Sequence, residues 1–279
     1  MDKNKHTAIL LATYNGENFI KEQLNSLYSQ TCKDWTLYVH DDGSTDNTAT
    51  VLREFSLGNS NMTIMDYPKM GNPKDNFMSM LEKVDADYYL FCDQDDRWVS
   101  DKIEKEMNHM HLLEEKNPGK PVLVFSDLYV TDKRLNILSN SMWEHGGIRP
   151  ELLKDFSLGG AFQYVTGCTM LFNKEAKKAA LSHPYAKATM HDIWITLCVL
   201  KEKGIVSGIY EPLVYYRQHE SNTLGASHWE QYGWLKKFLR IRYIVSRDIK
   251  HWRMLHVLNY GTYSKFLYNK YIKRRFITK

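Results

Sequence analysis

The chain has 279 residues, of which 43% are hydrophobic and 25% charged, and its net charge is +4. This composition is typical of a globular protein with an ample core, and it predicts one large domain or one domain with an appendage. Because no run approaches the ~18 apolar residues of a membrane-spanning helix, and the first residues do not resemble a signal peptide, we expect a soluble or peripheral protein.

Strands and helices alternate along most of the chain. The first predicted strands cover residues 7–13, 35–39, 62–65, 88–92 and 122–126, with helices at 19–29, 44–55 (including its capping residues), 76–84 and 101–116. After a less regular stretch, we predict a strand at 165–172, helices at 173–181 and 193–201, and a strand at 211–217. This alternation predicts an α/β fold with an open, mostly parallel sheet and helices on both faces.

From Trp229 onward the pattern predicts a long, basic and aromatic helix. Residues 228–279 carry 13 Lys and Arg against 2 Asp and Glu, a net charge of +11, whereas the rest of the chain carries −7. Apolar residues at helical spacing with cations between them, as in 234–245, are typical of a helix on a membrane surface. The alternatives are a helix packed on the main domain, an oligomer interface and a nucleic-acid patch, although we recognise no RNA-binding motif.

An acidic cluster, Asp93-Gln94-Asp95-Asp96, follows the buried-strand pattern Tyr-Leu-Phe-Cys at 89–92. A strand that ends there places carboxylates at the carboxyl edge of the sheet, where α/β proteins bind ligands. Such close carboxylates repel one another unless a cation lies between them, and an Asp-x-Asp arrangement suits Mg²⁺ or Mn²⁺ with a phosphate. Taken alone, the cluster fits equally well an acidic turn that caps the helix near Ser100.

Two more loops follow predicted strands and would reach the same crevice if the sheet is doubly wound. The loop at 12–17 offers Tyr14 as an aromatic face for base stacking, although Tyr14 could also be a core residue. In the loop at 41–46, Ser44 and Asp46 are explained by helix capping. Asp41 is not, because it lies at the strand end, where it could accept hydrogen bonds from a nucleobase or a ribose.

Six segments together resemble family 2 glycosyltransferases with the GT-A fold. They are Ala-Thr-Tyr-Asn-Gly-Glu at 12–17, Asp-Asp-Gly-Ser-Thr-Asp at 41–46, Asp-Gln-Asp-Asp-Arg-Trp at 93–98, and the segments 166–173, 190–194 and 216–219. The last three resemble the subset that builds bacterial polysaccharides, including rhamnosyltransferase-like members. The resemblance implies a GT-A catalytic domain at 1–225, with a Rossmann-like nucleotide-binding half, followed by a basic amphipathic helical extension at 226–279.

The resemblance also implies a nucleotide-sugar pocket. Asp41 would face the base, and Lys69 or Lys74 would add positive charge near the phosphates. The full set of residues expected to contact the donor is Ala12, Thr13, Tyr14, Glu17, Asp41, Asp42, Lys69, Asp93, Gln94, Asp96, Gly167 and Arg217.

A metal site and a catalytic base are implied in the same way. Asp93, Asp95 and His219 would hold Mn²⁺ or Mg²⁺, with Asp95 as the direct contact. Without the resemblance, His219 would be interpreted as a solvated loop histidine. Asp192 matches the position of the base that takes a proton from the acceptor hydroxyl, and the alternative for Asp192 is a helix N-cap.

The implied activity is an inverting, metal-dependent transfer of a sugar from dTDP-rhamnose or a UDP-hexose to a hydroxyl of a lipid-linked or growing surface polysaccharide, such as a capsule or an O-antigen. A nucleotidyltransferase is the first alternative, but residues 12–18 lack the Lys or Arg expected of its phosphate loop. A non-catalytic nucleotide-binding protein is the second. The expected partners are the donor, the saccharide acceptor and an anionic membrane surface, without nucleic acid; a homo-oligomer is left open. The four cysteines form no Cys-x-x-Cys pair, which favours a cytosolic protein, here at the inner face of the cell membrane.

Overall fold

The computed structural model describes residues 5–162, 165–219 and 234–273, with side chains in the last range described from Tyr243 onward. The elements of the first half are β1 (Thr7–Thr13), α1 (Ile20–Tyr28), β2 (Thr36–Asp41), α2 (Thr48–Leu57), β3 (Met62–Ile64), α3 (Pro73–Lys83), β4 (Tyr88–Asp93), β5 (Arg97–Trp98) and α4 (Lys102–Lys116). Those of the second half are β6 (Val122–Thr131), β7 (Ile137–Ser139), α5 (Met142–Gly146), α6 (Phe156–Gly159), β8 (Met170–Asn173), α7 (Lys174–Leu181), α8 (His191–Lys201), β9 (Ile205–Arg217), α9 (Trp234–Val257) and α10 (Tyr263–Leu267).

The strands of the described residues form one sheet in the order β3-β2-β1-β4-β8-β6-β9-β5, with β7 paired to β6. The four strands from β3 to β4 are parallel, as the alternating pattern predicts. Beyond β4 the sheet is mixed, because β8 runs antiparallel to both of its neighbours while β9 runs parallel to β6. The part of the sheet built by the first half of the chain, from β3 to β4, is therefore parallel, and the rest is mixed.

Strand register brings the three expected loops to one edge of the sheet. Thr13 at the end of β1 pairs with Asp41 at the end of β2, and Ala12 pairs with Asp93 at the end of β4. Because parallel strands end at the same edge, the residues that follow them lie around one crevice.

Two hydrophobic cores lie on opposite faces of the sheet, as the alternation of side chains along β1 requires. Ala8 and Leu10 point into the core that also holds residues of α3, α7 and α8. Ile9 and Leu11 point into the core that holds residues of α1, α2 and α4. Since β1 is apolar on both faces, it lies at the centre of the molecule and anchors the loop that follows it.

Several element boundaries differ from the sequence prediction. The helix α3 begins at Pro73, three residues before the predicted start, because Asn72 accepts a hydrogen bond from the backbone of Asp75 and proline suits the first helical turn. The predicted strand at 165–172 is wrong in its first part, where Gly167–Thr169 form a 3₁₀ turn and the strand starts at Met170. A short apolar run does not by itself distinguish the two conformations.

The C-terminal helices pack against the rest of the chain. Met254, Leu255 and Leu258 are fully buried and belong to the core that contains α8. The Tyr260 hydroxyl donates a hydrogen bond to the Ser157 carbonyl at 2.6 Å, which ties the turn after α9 to α6. At least one face of this segment therefore completes the main fold.

Parts of the predicted extension lie outside the described residues. The division at 225/226 and the helix start at Trp229 both fall within 220–233, so that division stays a prediction. Among the described residues, no helix combines the length and the apolar character required to cross a bilayer.

Candidate active site

A cavity of about 360 Å³ opens where β1 and β4 end, beside the start of α8. Among the residues expected from the sequence, it is lined by Ala12, Thr13, Tyr14, Asp42, Lys69, Asp93, Gln94, Asp95, Gly167 and Asp192. It is also lined by residues that sequence reasoning missed: Gly71, Asn72, Pro73, Asn76, Phe77, Thr166, Met190, His191 and Tyr216. The Asn-Pro pair at 72–73 is a sequence signal for the start of α3, but it does not indicate that α3 lies beside the site.

The two aspartates after β2 have different partners. Asp41 accepts hydrogen bonds from the Thr13 hydroxyl at 2.9 Å and from the Ser44 backbone at 3.0 Å, so its carboxylate closes the loop and does not line the cavity. Asp42 does line the cavity and accepts hydrogen bonds from the backbone of Met70 and Gly71. Asp42 thereby fixes the segment that carries Lys69.

Tyr14 and Lys69 form the cavity's aromatic and cationic side. Tyr14 is 48% exposed, so it is not the core residue that the sequence left open, and the Lys69 ammonium lies 4.7 Å from its ring centre. Glu17 lies outside the cavity, where its carboxylate accepts hydrogen bonds from the backbone and the side chain of Asn47 before α2. Lys74 is also outside and pairs with Asp75 at 2.7 Å.

Gln94 links the first loop to the acidic loop. Its amide oxygen accepts a hydrogen bond from the Tyr14 N–H at 2.8 Å, and its amide nitrogen donates to the Tyr14 carbonyl at 2.9 Å. Gly16 permits this approach, because a Cβ there would lie 2.3 Å from the Gln94 amide oxygen. The side chain of Gln94 is thus committed to the loop that positions Tyr14.

The carboxylates of Asp93, Asp95 and Asp192 lie close enough to interact electrostatically. Burial, aided by the negative charges of Asp95 and Asp192, raises the pKa of Asp93 from 3.8 to about 7. Asp96 is fully buried, accepts a hydrogen bond from the Arg217 backbone at 3.1 Å, and does not line the cavity. Its burial raises its pKa well above the usual range.

Asp95 is held from two sides. The imidazole of His219 lies 2.8 Å from the Asp95 carboxylate and stacks on the ring of Phe19 with centroids 4.6 Å apart. Arg217 donates to the Asp95 carbonyl at 2.7 Å, to the Lys133 carbonyl at 2.6 Å and, in addition, to a glutamate of α1. The guanidinium therefore braces the acidic loop and is not among the residues that line the cavity.

The residues at this site fit the expected Mn²⁺ or Mg²⁺. Asp93, Asp95 and His219 offer carboxylate oxygens and an imidazole nitrogen, which are suitable donors, and His219 lies against the Asp95 carboxylate although it is not among the residues that line the cavity. Among the described residues, the group of three donors whose ligand atoms lie within 4.8 Å of one another is instead Asp93, Asp96 and Cys168. It suits these ions less well, because burial raises the pKa of the Cys168 thiol and neutral sulfur is a poor ligand for them.

Asp192 lies in the first turn of α8 and lines the cavity. One of its oxygens accepts a hydrogen bond from the Gly167 N–H at 3.1 Å and the other accepts from the Ile193 N–H at 2.6 Å. The alternative role as N-cap is wrong, because Met190 occupies the cap position. Burial raises the pKa of Asp192 from 3.8 to about 6, against the opposing effect of the two backbone hydrogen bonds.

His191 is the most unusual of the residues that the sequence reasoning did not assign to the site. Its ring packs between Phe77 and Phe91, with centroids at 4.2 and 4.8 Å. Within the described part of the chain, neither ring nitrogen has a hydrogen-bond partner. Leaving a buried polar group unpaired costs on the order of 1–3 kcal/mol.

Comparison with known proteins identifies the class to which this fold and site belong. Residues 8–179 match the model of the family described as "Glycosyl transferase family 2", and the chain belongs to this family. The dTDP-rhamnosyl transferase RfbG of Shigella flexneri is 30% identical over 234 residues, which cover 78% of this chain and 74% of that protein. The protein is therefore a glycosyltransferase with a rhamnosyl transferase among its relatives.

Solved structures support the same fold. S. aureus TarS 1–349 in complex with UDP superposes with a TM-score of 0.57 at 17% identity; the match covers 76% of this chain and 60% of that one. The mannosyltransferase PcManGT from Pyrobaculum calidifontis, in complex with GDP-Man and Mn²⁺, gives a TM-score of 0.56 at 15% identity, covering 75% and 56% of the two chains. The expected GT-A fold is thus confirmed.

Proposed function

We propose that the protein is an inverting, metal-dependent glycosyltransferase that uses a nucleotide-sugar donor. The observation that carries this proposal is the convergence of Asp93, Asp95 and Asp192 on one cavity that is also lined by Tyr14 and Lys69. Carboxylates for a metal and a base, next to an aromatic ring and an ammonium for a nucleotide, supply the groups that sugar transfer from a diphosphate needs.

Binding of the donor is assigned to the residues that line the cavity. Tyr14 would stack on the base, and Lys69 would place positive charge near the phosphates. Glu17, Asp41, Asp96 and Arg217 would act indirectly, because their side chains hold the loops or lie outside the cavity.

Asp93, Asp95 and His219 would hold the divalent cation. When bound, Mn²⁺ or Mg²⁺ would stabilise the negative charge of the diphosphate leaving group. The existing contact between His219 and Asp95 orients both side chains before any ligand arrives. PcManGT is described in complex with GDP-Man and Mn²⁺, which supports a metal for this proposal.

Asp192 would remove the proton from the acceptor hydroxyl as that oxygen attacks the anomeric carbon. With a pKa of about 6, the carboxylate is mostly ionised at neutral pH yet basic enough to accept a proton. A single displacement inverts the anomeric configuration, so the site needs no nucleophilic residue of its own.

The first test incubates the purified protein with a nucleotide-sugar donor and Mn²⁺ or Mg²⁺, and it measures the nucleoside diphosphate that is released. Asp95→Ala should abolish turnover and weaken metal binding, whereas Asp34→Ala, at an exposed aspartate on the other side of β2, should change neither. Release of pyrophosphate from a nucleoside triphosphate mixed with a sugar phosphate, without nucleoside diphosphate release from any nucleotide sugar, would indicate a nucleotidyltransferase, and no turnover of any donor would contradict the proposal.

We propose dTDP-rhamnose as the donor, with UDP-glucose and UDP-galactose next. The similarity to RfbG supports this order, and the cavity wall formed by Phe77, Met190 and Pro73 offers apolar surface for the methyl group of a 6-deoxy sugar. A thermal-shift screen of the three donors with metal present distinguishes them. A larger stabilisation by either UDP-hexose than by dTDP-rhamnose would reverse the order.

We further propose a lipid-linked or growing surface polysaccharide as acceptor and contact with anionic membrane through the C-terminal segment. A relative from Escherichia coli, 31% identical over 103 residues that cover 37% of this chain and 40% of that protein, is named as a glucosyltransferase acting on a diphosphoundecaprenol-linked GlcNAc. Tyr243, Tyr268 and Tyr271 are exposed and lie on a segment with many cations. Each cation near an anionic surface contributes about 1 kcal/mol.

Membrane contact can be tested with the full chain, since removing the segment would also remove core residues such as Met254. Exchanging three exposed cations, Arg247, Lys250 and Arg253, for glutamine should reduce co-sedimentation with anionic vesicles. A control with the same change in net charge replaces Lys116, Lys120 and Lys203, which are exposed elsewhere on the chain. Equal loss in the two triple variants would argue against a specific membrane surface.

A further inference from the structure

His191 combines features that protein interiors ordinarily avoid. It is 4% exposed, and neither nitrogen is paired within the described residues, although its neighbours Phe77 and Phe91 would accommodate an apolar side chain. Buried polar groups in folded proteins are nearly always hydrogen-bonded, and exceptions concentrate at functional sites. Nothing in the packing around His191 explains a histidine at this position.

The location of the ring supplies an explanation. His191 is adjacent to Asp192 in the first turn of α8, and both side chains line the cavity. Gly167 leaves space beside the ring, since a Cβ at that position would lie 2.7 Å from Nε2. The two aromatic neighbours hold the plane of the imidazole in place, so its nitrogens are fixed in direction before a ligand binds.

The chemistry of the ring indicates its partner. Burial lowers the pKa of His191 to about 3, so the imidazole is neutral and offers one donor and one acceptor. A neutral group of this kind does not select phosphate, for which the cavity offers the Lys69 ammonium. A hydroxyl, which can also donate and accept, is its natural complement.

We propose that His191 recognises a hydroxyl group of the saccharide bound beside Asp192 and thereby determines which sugar reacts. This inference rests on the proposed glycosyl transfer, and the hydroxyl belongs to either the donor sugar or the acceptor sugar. In both cases the ligand satisfies a ring nitrogen that has no partner among the described residues. His191 is a binding and specificity residue and takes no part in proton transfer.

The test compares His191→Leu with His251→Leu. His251 is similarly buried, but its Nε2 lies 2.9 Å from the Gly160 carbonyl, away from the cavity. His191→Leu should leave the melting temperature of the unliganded protein unchanged or raise it, because an apolar group replaces an unpaired polar one. His251→Leu should lower the melting temperature and leave substrate binding unchanged.

Binding measurements then identify the sugar. His191→Leu should leave the affinity for the nucleoside diphosphate unchanged. A donor contact predicts about threefold to tenfold weaker binding of the nucleotide sugar, and an acceptor contact predicts the same factor in kcat/KM for the acceptor with donor binding unaffected. His191→Asn retains a polar atom near the position of Nδ1, and His191→Gln retains one near the position of Nε2. The two variants should differ in sugar affinity, and the variant that restores binding identifies the ring nitrogen that contacts the sugar.

Other outcomes overturn the inference. If His191→Leu lowers the melting temperature while every substrate constant stays at the wild-type value, the histidine has a structural role. If nucleoside diphosphate and nucleotide sugar lose affinity equally, the effect is on the shape of the cavity and not on a hydroxyl. If His191→Leu does not fold, the test uses His191→Asn and His191→Gln. At least one of them must then weaken the binding of nucleotide sugar, or kcat/KM for the acceptor, without weakening the binding of nucleoside diphosphate; otherwise the inference fails. Failure of the glycosyl-transfer proposal is separate, because the wild-type protein would then turn over no donor.

Discussion

Replacing Asp192 by asparagine tests the proposed chemistry most directly. Asparagine has one acceptor oxygen where the carboxylate has two, so the variant loses the hydrogen bond from either Gly167 or Ile193. That loss costs about 1 kcal/mol of stability. Loss of a general base costs a factor of about 10² to 10⁴ in rate, which corresponds to about 3–5 kcal/mol in the activation barrier. The expected fall in kcat is therefore far larger than the structural effect.

The pH dependence of the wild-type rate gives an independent check on the same residue. The base acts when ionised, and its pKa is raised to about 6, so the rate should be flat above pH 7 and fall about tenfold per unit well below pH 6. A cation held by Asp93 and Asp95 favours the ionised form of Asp192, so with metal bound the midpoint should lie at or below 6.

The assay measures nucleoside diphosphate release with acceptor present and donor saturating. It covers roughly pH 4.5 to 8, a range that brackets the expected titration of Asp192. Asp34→Asn, an exposed aspartate, is the matched control. The assignment of Asp192 as base is refuted if Asp192→Asn keeps more than about a tenth of the wild-type kcat. It is also refuted if the midpoint lies clearly above 7.

Three further predictions follow from the contacts. Arg217→Lys keeps the charge but loses the planar guanidinium that donates to three acceptors. The variant should therefore have a melting temperature lower by at least about 4 °C and should bind Mn²⁺ more weakly in calorimetry. An unchanged melting temperature would contradict the bracing role of Arg217. Gly16→Ala should displace the Gln94 side chain and weaken nucleoside diphosphate binding, which titration calorimetry checks against the wild type. Lys102 and Glu106 form a fully buried ion pair at 2.7 Å, so the single change Lys102→Met should destabilise by about 3–5 kcal/mol in urea unfolding, whereas adding Glu106→Leu should recover most of that loss.

The part of the fold that local sequence patterns could predict is the parallel half. The strands β1, β2 and β4 are short apolar runs followed by polar loops, and the loops at 12–17, 41–46 and 93–96 converge as expected. The strand directions in the mixed half could not be predicted in this way, because the direction of β8 depends on its pairing with β4 and β6 and not on its own residues. The first half of β9 is only partly buried, which removes the apolar signal that would have extended that strand to Ile205.

Side-chain partners across the sheet were beyond sequence reasoning. Arg217 and Asp95 are 122 residues apart, and no local pattern indicates that one braces the other. The same holds for His191, whose ring is enclosed by Phe77 from α3 and Phe91 from β4. Such contacts arise from tertiary packing, so a histidine next to the expected base was visible in the sequence while its unpaired nitrogens were not.

The adjacent residues Asp41 and Asp42 show why a motif predicts more ligand contacts than a structure supplies. Asp41 uses its carboxylate to close its own loop, while Asp42 reaches 28 residues along the chain to hold the backbone of Met70. Both contacts determine where Tyr14 and Lys69 stand, although neither requires a ligand. A polar residue in a recurring loop can therefore be needed for binding because it fixes the backbone, and only the direction of its hydrogen bonds distinguishes this role from direct contact.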